Sequence, residues 1–276
     1  MKIGIIDEYD IDLIETLKFL NFEFYYFLFD SEERRRYYNI FLLPFSELEK
    51  YYKELDFVLN LSDLKLDLEK VINKIDELSL IDREKMYVYR IERSFFDNVI
   101  YFPYVINNNI PEVKIEKIFE NKNRKVVLVL CDKISLEAVG IMTLLSKEFE
   151  IYIYGILDLN TSNSKGIYFL KRKLEKNELI KLLKYVDIVI DFSKNKFYKE
   201  LLYAALLNKP IFTVKDFKNF PKLVIDEKIN EKINKLIKKN YRYDISENLI
   251  ENSKKIIEEE LFKLSKKLIK IKNINY

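Results

Sequence analysis

The chain has 276 residues, of which 49% are apolar and 34% charged, and its formal net charge is +3. This composition excludes a disordered polypeptide, because it supplies enough apolar material for one or two buried cores. The absence of histidine excludes every histidine-based catalytic triad, and the single cysteine, Cys131, excludes an internal disulfide. Since no apolar run approaches the ~18 residues of a membrane span and no signal-peptide core is visible, we expect a cytoplasmic protein.

Apolar runs of strand length alternate with helical patterns along the whole chain. Several of the runs are apolar on both faces, as parallel strands covered by helices are. In chain order the runs are 2–6, 22–29, 38–45, 56–61, 85–91, 98–104, 125–131, 150–156, 167–171, 187–192 and 210–214. The pattern predicts an α/β fold with two Rossmann-like units.

Two helical patterns are informative beyond this alternation. Residues 46–55 begin with Ser46 and Glu49, which are spaced as a capping box. Residues 248–270 have an apolar stripe at helical spacing, which predicts a helix that packs on the domains. Because its polar face is rich in lysine, peripheral contact with an anionic membrane surface is a second interpretation. The stripe consists of Leu249, Ile250, Ile256, Ile257, Leu261, Leu264 and Leu268.

A polar segment divides the chain into two predicted domains. Residues 106–124 contain Pro111 and a charged run, and we interpret them as a hinge. The N-terminal domain then comprises residues 1–105 and the C-terminal domain residues 125–245, with C-terminal helices over 246–276. Because ligands bind beyond the carboxyl ends of parallel strands, two such sheets facing each other would form a cleft between them.

The charges are divided unevenly between the two halves of the chain. Residues 1–110 hold 14 basic and 22 acidic side chains, a balance of −8, whereas the remaining residues have a balance of +11. A basic second half indicates an anionic ligand there, and uneven surface charge without a ligand is the alternative. We expect no nucleic-acid partner, because no basic stripe with interleaved aromatic residues is visible.

Four stretches carry a resemblance to a known family, and in order they cover residues 99–112, 125–145, 166–193 and 197–217. They read VIYFPYVINNNIPE, KVVLVLCDKISLEAVGIMTLL, GIYFLKRKLEKNELIKLLKYVDIVIDFS and FYKELLYAALLNKPIFTVKDF. This order resembles the donor half of GT-B glycosyltransferases, especially retaining family 4. With the final helices the resemblance spans roughly residues 98–270, and the first 97 residues fit by topology only.

The resemblance implies a fold, a reaction and a set of partners. The fold is GT-B, with two Rossmann-like domains facing across a cleft. The reaction moves a sugar, a hexose in most such enzymes, from a UDP- or GDP-type nucleotide sugar to a glycan, lipid-carrier or protein acceptor. Neither a cofactor nor a metal ion at the reaction centre is implied, and the sequence contains no metal-binding cluster.

The sequence departs from the family pattern at the positions that hold the donor. Where the family has two glutamates eight positions apart, for the donor sugar and the ribose, this chain has Asn195 and Tyr203. Where the family places an Arg and a Lys for the diphosphate, this chain has Asp132 and Glu137, with Lys133 as the nearest cation. These departures keep a second hypothesis open, in which a catalytically inactive member of the fold acts as a scaffold, a partner subunit or a binding module.

The residues around position 195 could still hold a nucleotide sugar. Ser193 ends a predicted strand, and the N–H groups of a helix that starts just after it would bind a phosphate. Lys194, Lys196 and Lys133 would supply positive charge, and Asn195 can hydrogen-bond a sugar hydroxyl. The alternative is that these lysines are a solvated helix start.

Further contacts to the nucleotide are expected from two neighbouring segments. The position of Phe197 follows from the resemblance, and Glu200 lies one turn before Tyr203, so it could reach a ribose from nearly the same face. Lys171 and Arg172 follow a predicted strand, in a loop that lies beside the base in the resembled fold. A charged surface turn is the alternative for that loop.

Acidic residues of the first half are the candidates for proton transfer. Asp7 and Asp63, with Glu8 and Asp10, lie at or just after the carboxyl ends of predicted strands. An inverting enzyme would need one such carboxylate as general base, because no histidine is present. Cys131 ends a buried strand, and we interpret it as a small core residue rather than a nucleophile.

Overall fold

In the computed structural model, the chain divides into two compact units. One unit comprises Met1–Asn107 and Ser246–Tyr276, and the other comprises Asn108–Ile245. The structure describes residues 1–29, 31–32, 34–61, 87–89, 99–110, 124–133, 136–155, 166–170, 174–193, 197–214, 217, 219–222, 228–239 and 241–274.

The first unit is built on a five-stranded sheet with the order β3-β4-β2-β1-β5. All neighbours are parallel except β3, which pairs with β4 in the antiparallel direction at the edge. The strands are β1 (Lys2–Asp7), β2 (Glu23–Leu28), β3 (Arg35–Tyr37), β4 (Ile40–Pro44) and β5 (Phe57–Asn60). A separate parallel pair consists of β6 (Tyr87–Tyr89) and β7 (Val99–Tyr101).

One face of this sheet is covered by the first helix and the last helix of the chain. The helices of the unit are α1 (Ile11–Leu17), the single turn α2 (Leu48–Tyr51) and, after the chain returns, α7 (Ile250–Ile274). Ile257, Leu261 and Leu264 of α7 are buried in the same cluster as the strand residues Ile3, Ile5 and Phe24. Each such side chain contributes roughly 1.5–3 kcal/mol on burial, so the C-terminal helix is a structural part of the first unit.

The second unit contains a five-stranded sheet in which all neighbours are parallel, with the order β10-β9-β8-β11-β12. The strands are β8 (Val126–Leu130), β9 (Glu150–Tyr154), β10 (Ile167–Leu170), β11 (Ile188–Asp191) and β12 (Ile211–Thr213). The helices are α3 (Leu136–Leu145), α4 (Lys176–Tyr185), α5 (Tyr198–Leu206) and α6 (Ile229–Leu236).

Both sheets have the doubly wound topology, and this confirms the predicted α/β fold. In each sheet, the strands that follow the first strand of the unit are added on one side of it, and the later strands are added on its other side. The reversal lies between β1 and β5 in the first unit and between β8 and β11 in the second. Ligands of open α/β sheets bind at such a switch point, beyond the carboxyl ends of the strands.

Local predictions were less accurate than the overall one. Strand β3 was missed, because its three residues are mostly charged or exposed at the sheet edge. The capping box at Ser46 is wrong, since a 3-10 turn already begins at Phe45 with Pro44 as its N-cap. A capping box does form at the start of α4. The Glu175 carboxylate accepts the backbone N–H of Glu178, and the Glu178 carboxylate accepts the backbone N–H of Glu175. Within the described parts of the chain, no helix is long and apolar enough to cross a membrane.

Candidate functional site

The switch point of the second sheet is formed by the ends of β8 and β11. The backbone N–H of Phe192 donates to the carbonyl of Leu130, which keeps the two strand ends paired. The next residue, Ser193, turns back and donates its N–H to the carboxylate of Asp191 at 2.8 Å. The Ser193 side chain is fully buried, and its Oγ has no hydrogen-bond partner among the residues that the structure describes. A buried hydroxyl without a partner is costly unless a ligand or water satisfies it.

A glycine and an aromatic ring shape the same edge beside β9. Gly155 follows β9 with a φ of +110°, a conformation that favours glycine. A Cβ at this position would lie 2.1 Å from Cζ of Phe197 and 2.8 Å from the carbonyl oxygen of Cys131. The Phe197 ring, 5% exposed, therefore rests directly on the glycine backbone, and its centroid lies 5.6 Å from that of Tyr154. Phe197 acts as a packed support at this edge.

Helix α5 starts at this support without a side-chain cap. Its N-cap residue is Phe197, which has no acceptor atom to offer to the N–H groups of the first turn. The half-buried Glu200 lies in that first turn, where a carboxylate interacts favourably with the helix dipole. A helix start of this kind can accept an anion.

Tyr203 occupies the next turn of α5 and is only 2% exposed. The Lys176 ammonium, from the first turn of α4, lies 5.5 Å from the centre of its ring. Such a distance permits a cation–π interaction between the two helices. Tyr203 is thus packed between elements of the second unit, and Glu200 is more accessible than Tyr203.

The end of β8 carries a buried thiol and an exposed lysine. The Cys131 Sγ donates a hydrogen bond to the carbonyl oxygen of Lys133 at 2.8 Å. Burial raises the pKa of the Cys131 thiol, so the neutral form is favoured and a nucleophilic thiolate is disfavoured. The Lys133 side chain is exposed beside this turn, where its ammonium can meet an anion.

Lys209, within the fourth stretch of the resemblance (residues 197–217), forms hydrogen bonds inside the second unit. Its Nζ donates to the carbonyl oxygens of Lys184 at 3.0 Å and of Val186 at 2.7 Å. It therefore satisfies carbonyl groups at the carboxyl end of α4.

In the first unit, the predicted carboxylate Asp7 lies at the end of β1 and is 5% exposed. Its Oδ1 accepts the N–H of Glu8 at 2.9 Å, and its Oδ2 lies 3.4 Å from the hydroxyl of Tyr26, which also donates to the carbonyl of Glu8 at 3.0 Å. These contacts orient the carboxylate at the switch point of the first sheet.

Asp10, which the sequence placed among the acidic cleft residues, is the N-cap of α1. Its Oδ1 accepts the N–H groups of Asp12 and Leu13 at 3.1 and 3.2 Å. The start of α1 is therefore capped by the chain itself, which removes Asp10 from the candidates for proton transfer.

Six predicted site residues lie outside the described residues, and their predicted roles stay predictions: Asp63, Lys171, Arg172, Lys194, Asn195 and Lys196. The described residues contain no group of three or more Cys, Asp or Glu placed to hold a metal ion.

Comparison with known proteins gives similarity in structure only. No family model and no curated protein matches the sequence. The lipopolysaccharide outer core galactosyltransferase WaaB is similar at a TM-score of 0.52 and 13% identity, over 95% of this chain and 99% of that one. The glycotransferase of kitacinnamycin is similar at 0.51 and 8%, over 94% and 95% of the two chains. An α,α-trehalose-phosphate synthase (UDP-forming) from Burkholderia vietnamiensis is similar at 0.50 and 10%, over 98% and 97%.

These likenesses extend over almost the whole of each chain and agree with the two doubly wound sheets. At identities of 8–13% they establish architecture and no more. The chain has the fold of the GT-B glycosyltransferases.

Proposed function

We propose that the protein transfers a sugar from a nucleoside-diphosphate sugar to an acceptor, with the donor held by the second unit. The observation that carries this proposal is the fold-wide likeness to solved glycosyltransferases. The local geometry supports it, because the switch point of the second sheet combines a buried hydroxyl that has no partner among the described residues with a helix start whose N-cap residue, Phe197, provides no side-chain cap.

In this proposal the diphosphate lies at the start of α5. Ser193 donates its hydroxyl, and the first-turn N–H groups and the helix dipole favour the negative charge. Lys133 supplies a cation from the end of β8, and Lys194 and Lys196 supply further cations. Since a charge-assisted hydrogen bond is roughly twice as strong as a neutral one, these contacts compensate for the acidic residue at position 132.

In the proposal, the remaining predicted residues bind the nucleoside and the sugar. Glu200 is the candidate for the ribose, with the Tyr203 ring behind it, and the loop of Lys171 and Arg172 lies beside the base. Asn195 holds a donor-sugar hydroxyl. The reaction centre needs no metal in this proposal, because helix dipole and lysine side chains offset the leaving-group charge.

The first unit binds the acceptor in this scheme, and the acidic switch point is the candidate for its contacts. Asp7 is fixed by hydrogen bonds, as a general base has to be, and Asp63 is the second candidate. The acceptor class is a glycan, a lipid carrier or a protein. A UDP- or GDP-type donor and a hexosyl group are the expected choices.

A second candidate function is a non-catalytic binding protein with the same fold. The buried packing of Tyr203 favours it, because a tyrosine held between α4 and α5 cannot replace a carboxylate that accepts two ribose hydroxyls. Slow donor hydrolysis without acceptor, abolished by Lys133→Ala, would exclude this candidate.

Calorimetric titration with UDP, GDP, ADP and CDP tests the leading proposal. We expect one uridine or guanosine diphosphate to bind, and Lys133→Ala to weaken it roughly tenfold, the value of one charge-assisted contact. The matched control is Lys147→Ala, another exposed lysine of the second unit that lies before β9, at the amino edge of the sheet. Binding of no nucleotide at millimolar concentration, or equal losses in both variants, would contradict the proposal.

A further inference from the structure

The second unit carries a lysine surface that lies away from the candidate donor site. We define it as Lys228, Lys232, Lys235, Lys238 and Lys239, which lie at the N-cap of α6, within α6 and in the turn just after it. All of them are exposed except Lys232, which is half-buried. The segment 228–242 contains six basic residues and one acidic residue, Glu231. This is a dense part of the positive charge that distinguishes the second half of the chain.

The fold determines which way this surface points. Ile229 and Ile233 of α6 are buried in the core of the second unit, so the helix is fixed by its apolar side. Lys228, Lys232 and Lys235 recur at spacings of four and three residues, so they share another side of the helix. Lys238 and Lys239 continue the surface in the turn that follows, where the N–H of Lys239 donates to the carbonyl of Leu236.

Interaction with the helix dipole accounts for only part of this cluster of lysines. Basic residues near a helix C-terminus interact favourably with the helix dipole, and this explains Lys235, Lys238 and Lys239 in part. Lys228, in contrast, is the N-cap residue, where positive charge is unfavourable. The helix dipole therefore accounts for three of the five lysines only, and the exposed cluster as a whole can meet an external anion.

The lysine surface and the donor site lie at opposite edges of one sheet. Asn234 of α6 accepts from Lys125 Nζ at 2.9 Å, and its amide donates to Glu148 at 3.0 Å. Lys125 lies one residue before β8 and Glu148 two residues before β9, at the amino edge of the sheet. Ser193 follows the carboxyl end of β11, and a five-residue strand such as β8 spans about 16 Å. A partner on the lysine surface would leave the donor site open.

We infer that the lysine surface docks the protein on an anionic lipid bilayer. Clusters of four to eight basic residues on an amphipathic helix are typical of such contacts. Lysine rather than arginine dominates, and lysine acts as a point charge suited to a diffuse layer of headgroups rather than to bidentate recognition of single phosphates.

The neighbouring aromatic residues favour a bilayer over a nucleic acid. Tyr241 and Tyr243 stack on each other, and the hydroxyl of Tyr243 accepts the N–H of Ile211 at 2.8 Å. These rings are used by the unit itself, whereas nucleic-acid surfaces offer aromatic rings for base stacking. Because the apolar side of α6 is buried, docking is electrostatic and reversible.

The charge balance also distinguishes α6 from the C-terminal helix. Over its full length, Ile250–Ile274, α7 has seven lysines and four glutamates, a balance of +3 over 25 residues, whereas residues 228–242 have a balance of +5 over 15 residues. Its apolar stripe is moreover buried in the first unit at Ile257, Leu261 and Leu264. The lysine surface on α6 is therefore the better candidate for contact with a bilayer.

Vesicle sedimentation of the whole chain tests this inference. We expect binding to vesicles with about one third phosphatidylglycerol in phosphatidylcholine, no binding to phosphatidylcholine alone, and release as salt shortens the Debye length from about 10 Å to about 3 Å. Replacing Lys235, Lys238 and Lys239 together by Gln should weaken binding roughly a hundredfold, at about fivefold for each lysine.

The matched control replaces three exposed lysines of α7, Lys255, Lys263 and Lys266, by Gln, with the same change in net charge. It should retain binding within a few-fold. Equal losses in both variants, or binding of a single-stranded oligonucleotide as tight as that of the anionic vesicles, would overturn the inference. Nucleotide titration is a separate readout that these variants leave unchanged, so this test and that of the proposed function can fail independently.

Discussion

The two sheets share a topology but differ in how their carboxyl edges treat negative charge. In the first unit, the Asp10 carboxylate accepts the N–H groups that open α1, and Asp7 adds a second carboxylate at the end of β1. In the second unit, α5 opens at Phe197, which offers no acceptor, beside the buried hydroxyl of Ser193. The first edge caps its helix with a carboxylate of the N-cap residue, whereas the second, which also carries Asp191 and Glu200, opens its helix without a side-chain cap.

In the proposed function, this difference divides donor and acceptor binding between the two units. An edge lined by carboxylates repels a diphosphate and suits a neutral, hydroxyl-bearing group. A helix start whose N-cap residue provides no side-chain cap favours a diphosphate. The proposed assignment of donor to the second unit and acceptor to the first rests on this local difference between two switch points of the same topology.

The largest expected effect on stability comes from a substitution at Gly155, where the Phe197 ring packs on the backbone at the carboxyl edge of the second sheet. Gly155→Ala places a Cβ 2.1 Å from the Phe197 ring in a backbone conformation that alanine resists. We expect a loss of about 3 kcal/mol in the free energy of unfolding. Gly140→Ala is the control, because Gly140 lies within α3 and a Cβ added there meets no heavy atom within 4 Å outside its chain neighbours and the helix backbone. It should gain up to about 1 kcal/mol in the free energy of unfolding. Urea titration measures both, and a loss below about 0.5 kcal/mol for Gly155→Ala would show that the ring does not need the glycine.

The next prediction compares two buried serines, one from each unit. The Ser253 Oγ in α7 donates to the carbonyl of Glu247 at 2.7 Å, so Ser253→Ala should cost about 1–2 kcal/mol of unfolding free energy. Ser193→Ala removes a hydroxyl without a described partner, so it should cost less than about 0.5 kcal/mol or increase stability.

The two serine variants should differ in the reverse order in their effect on nucleotide binding. Ser193→Ala should weaken nucleotide binding roughly fivefold to tenfold, as the loss of one hydrogen bond does. Ser253→Ala should leave nucleotide binding unchanged. If Ser193→Ala destabilised the unliganded protein as much as Ser253→Ala does, its hydroxyl would have a partner within the fold and would not await a ligand.

A smaller effect is expected at the first edge. Asp10→Ala removes the cap of α1 and should cost about 1 kcal/mol in denaturant unfolding, since two N–H groups lose their acceptor. Glu8→Ala, an exposed neighbour, serves as the control and should change stability by less than about 0.5 kcal/mol. Unchanged stability in Asp10→Ala would mean that α1 does not depend on its own carboxylate, and the contrast between the edges would weaken.

The smallest expected effect is the dependence of stability on alkaline pH, which comes from two buried tyrosines of the second unit. Burial raises the pKa of Tyr152 and of Tyr243 to about 12. The folded state therefore keeps protons that the unfolded state loses near pH 10, so stability is full below about pH 10 and falls as the pH rises to about 12. Tyr152→Phe should flatten this fall in urea titrations across that window. An identical alkaline profile in the variant would exclude Tyr152 as a cause.

Much of the architecture could be predicted from sequence, because apolar runs report burial directly. β8 is buried along its whole length, and the run of residues 125–131 predicted it. β3 was missed, because an antiparallel edge strand of charged residues has no apolar signal. The start of the helix after β4 was misplaced, because Pro44 begins a 3-10 turn before Ser46 can act as a cap.

The site was harder to predict, because its geometry comes from residues far apart in the chain. Phe197 and Gly155 are 42 positions apart, and neither alone indicates that a ring rests on a glycine. Asp10 was grouped with Asp7 as a cleft carboxylate, although an Asp just before a helical pattern is also an N-cap signal. Lys209 belonged to the motif of the resemblance, and its bonds to the end of α4 depend on a segment 25 positions earlier.

Hydrogen exchange with and without a saturating nucleotide sugar tests the central claim most directly, because it reports both edges in one experiment. The account predicts the strongest slowing of amide exchange over residues 188–206, which contain β11, Ser193 and α5. Slowing that is confined to residues 2–17, or absent from 188–206 when the nucleotide is bound, would contradict it.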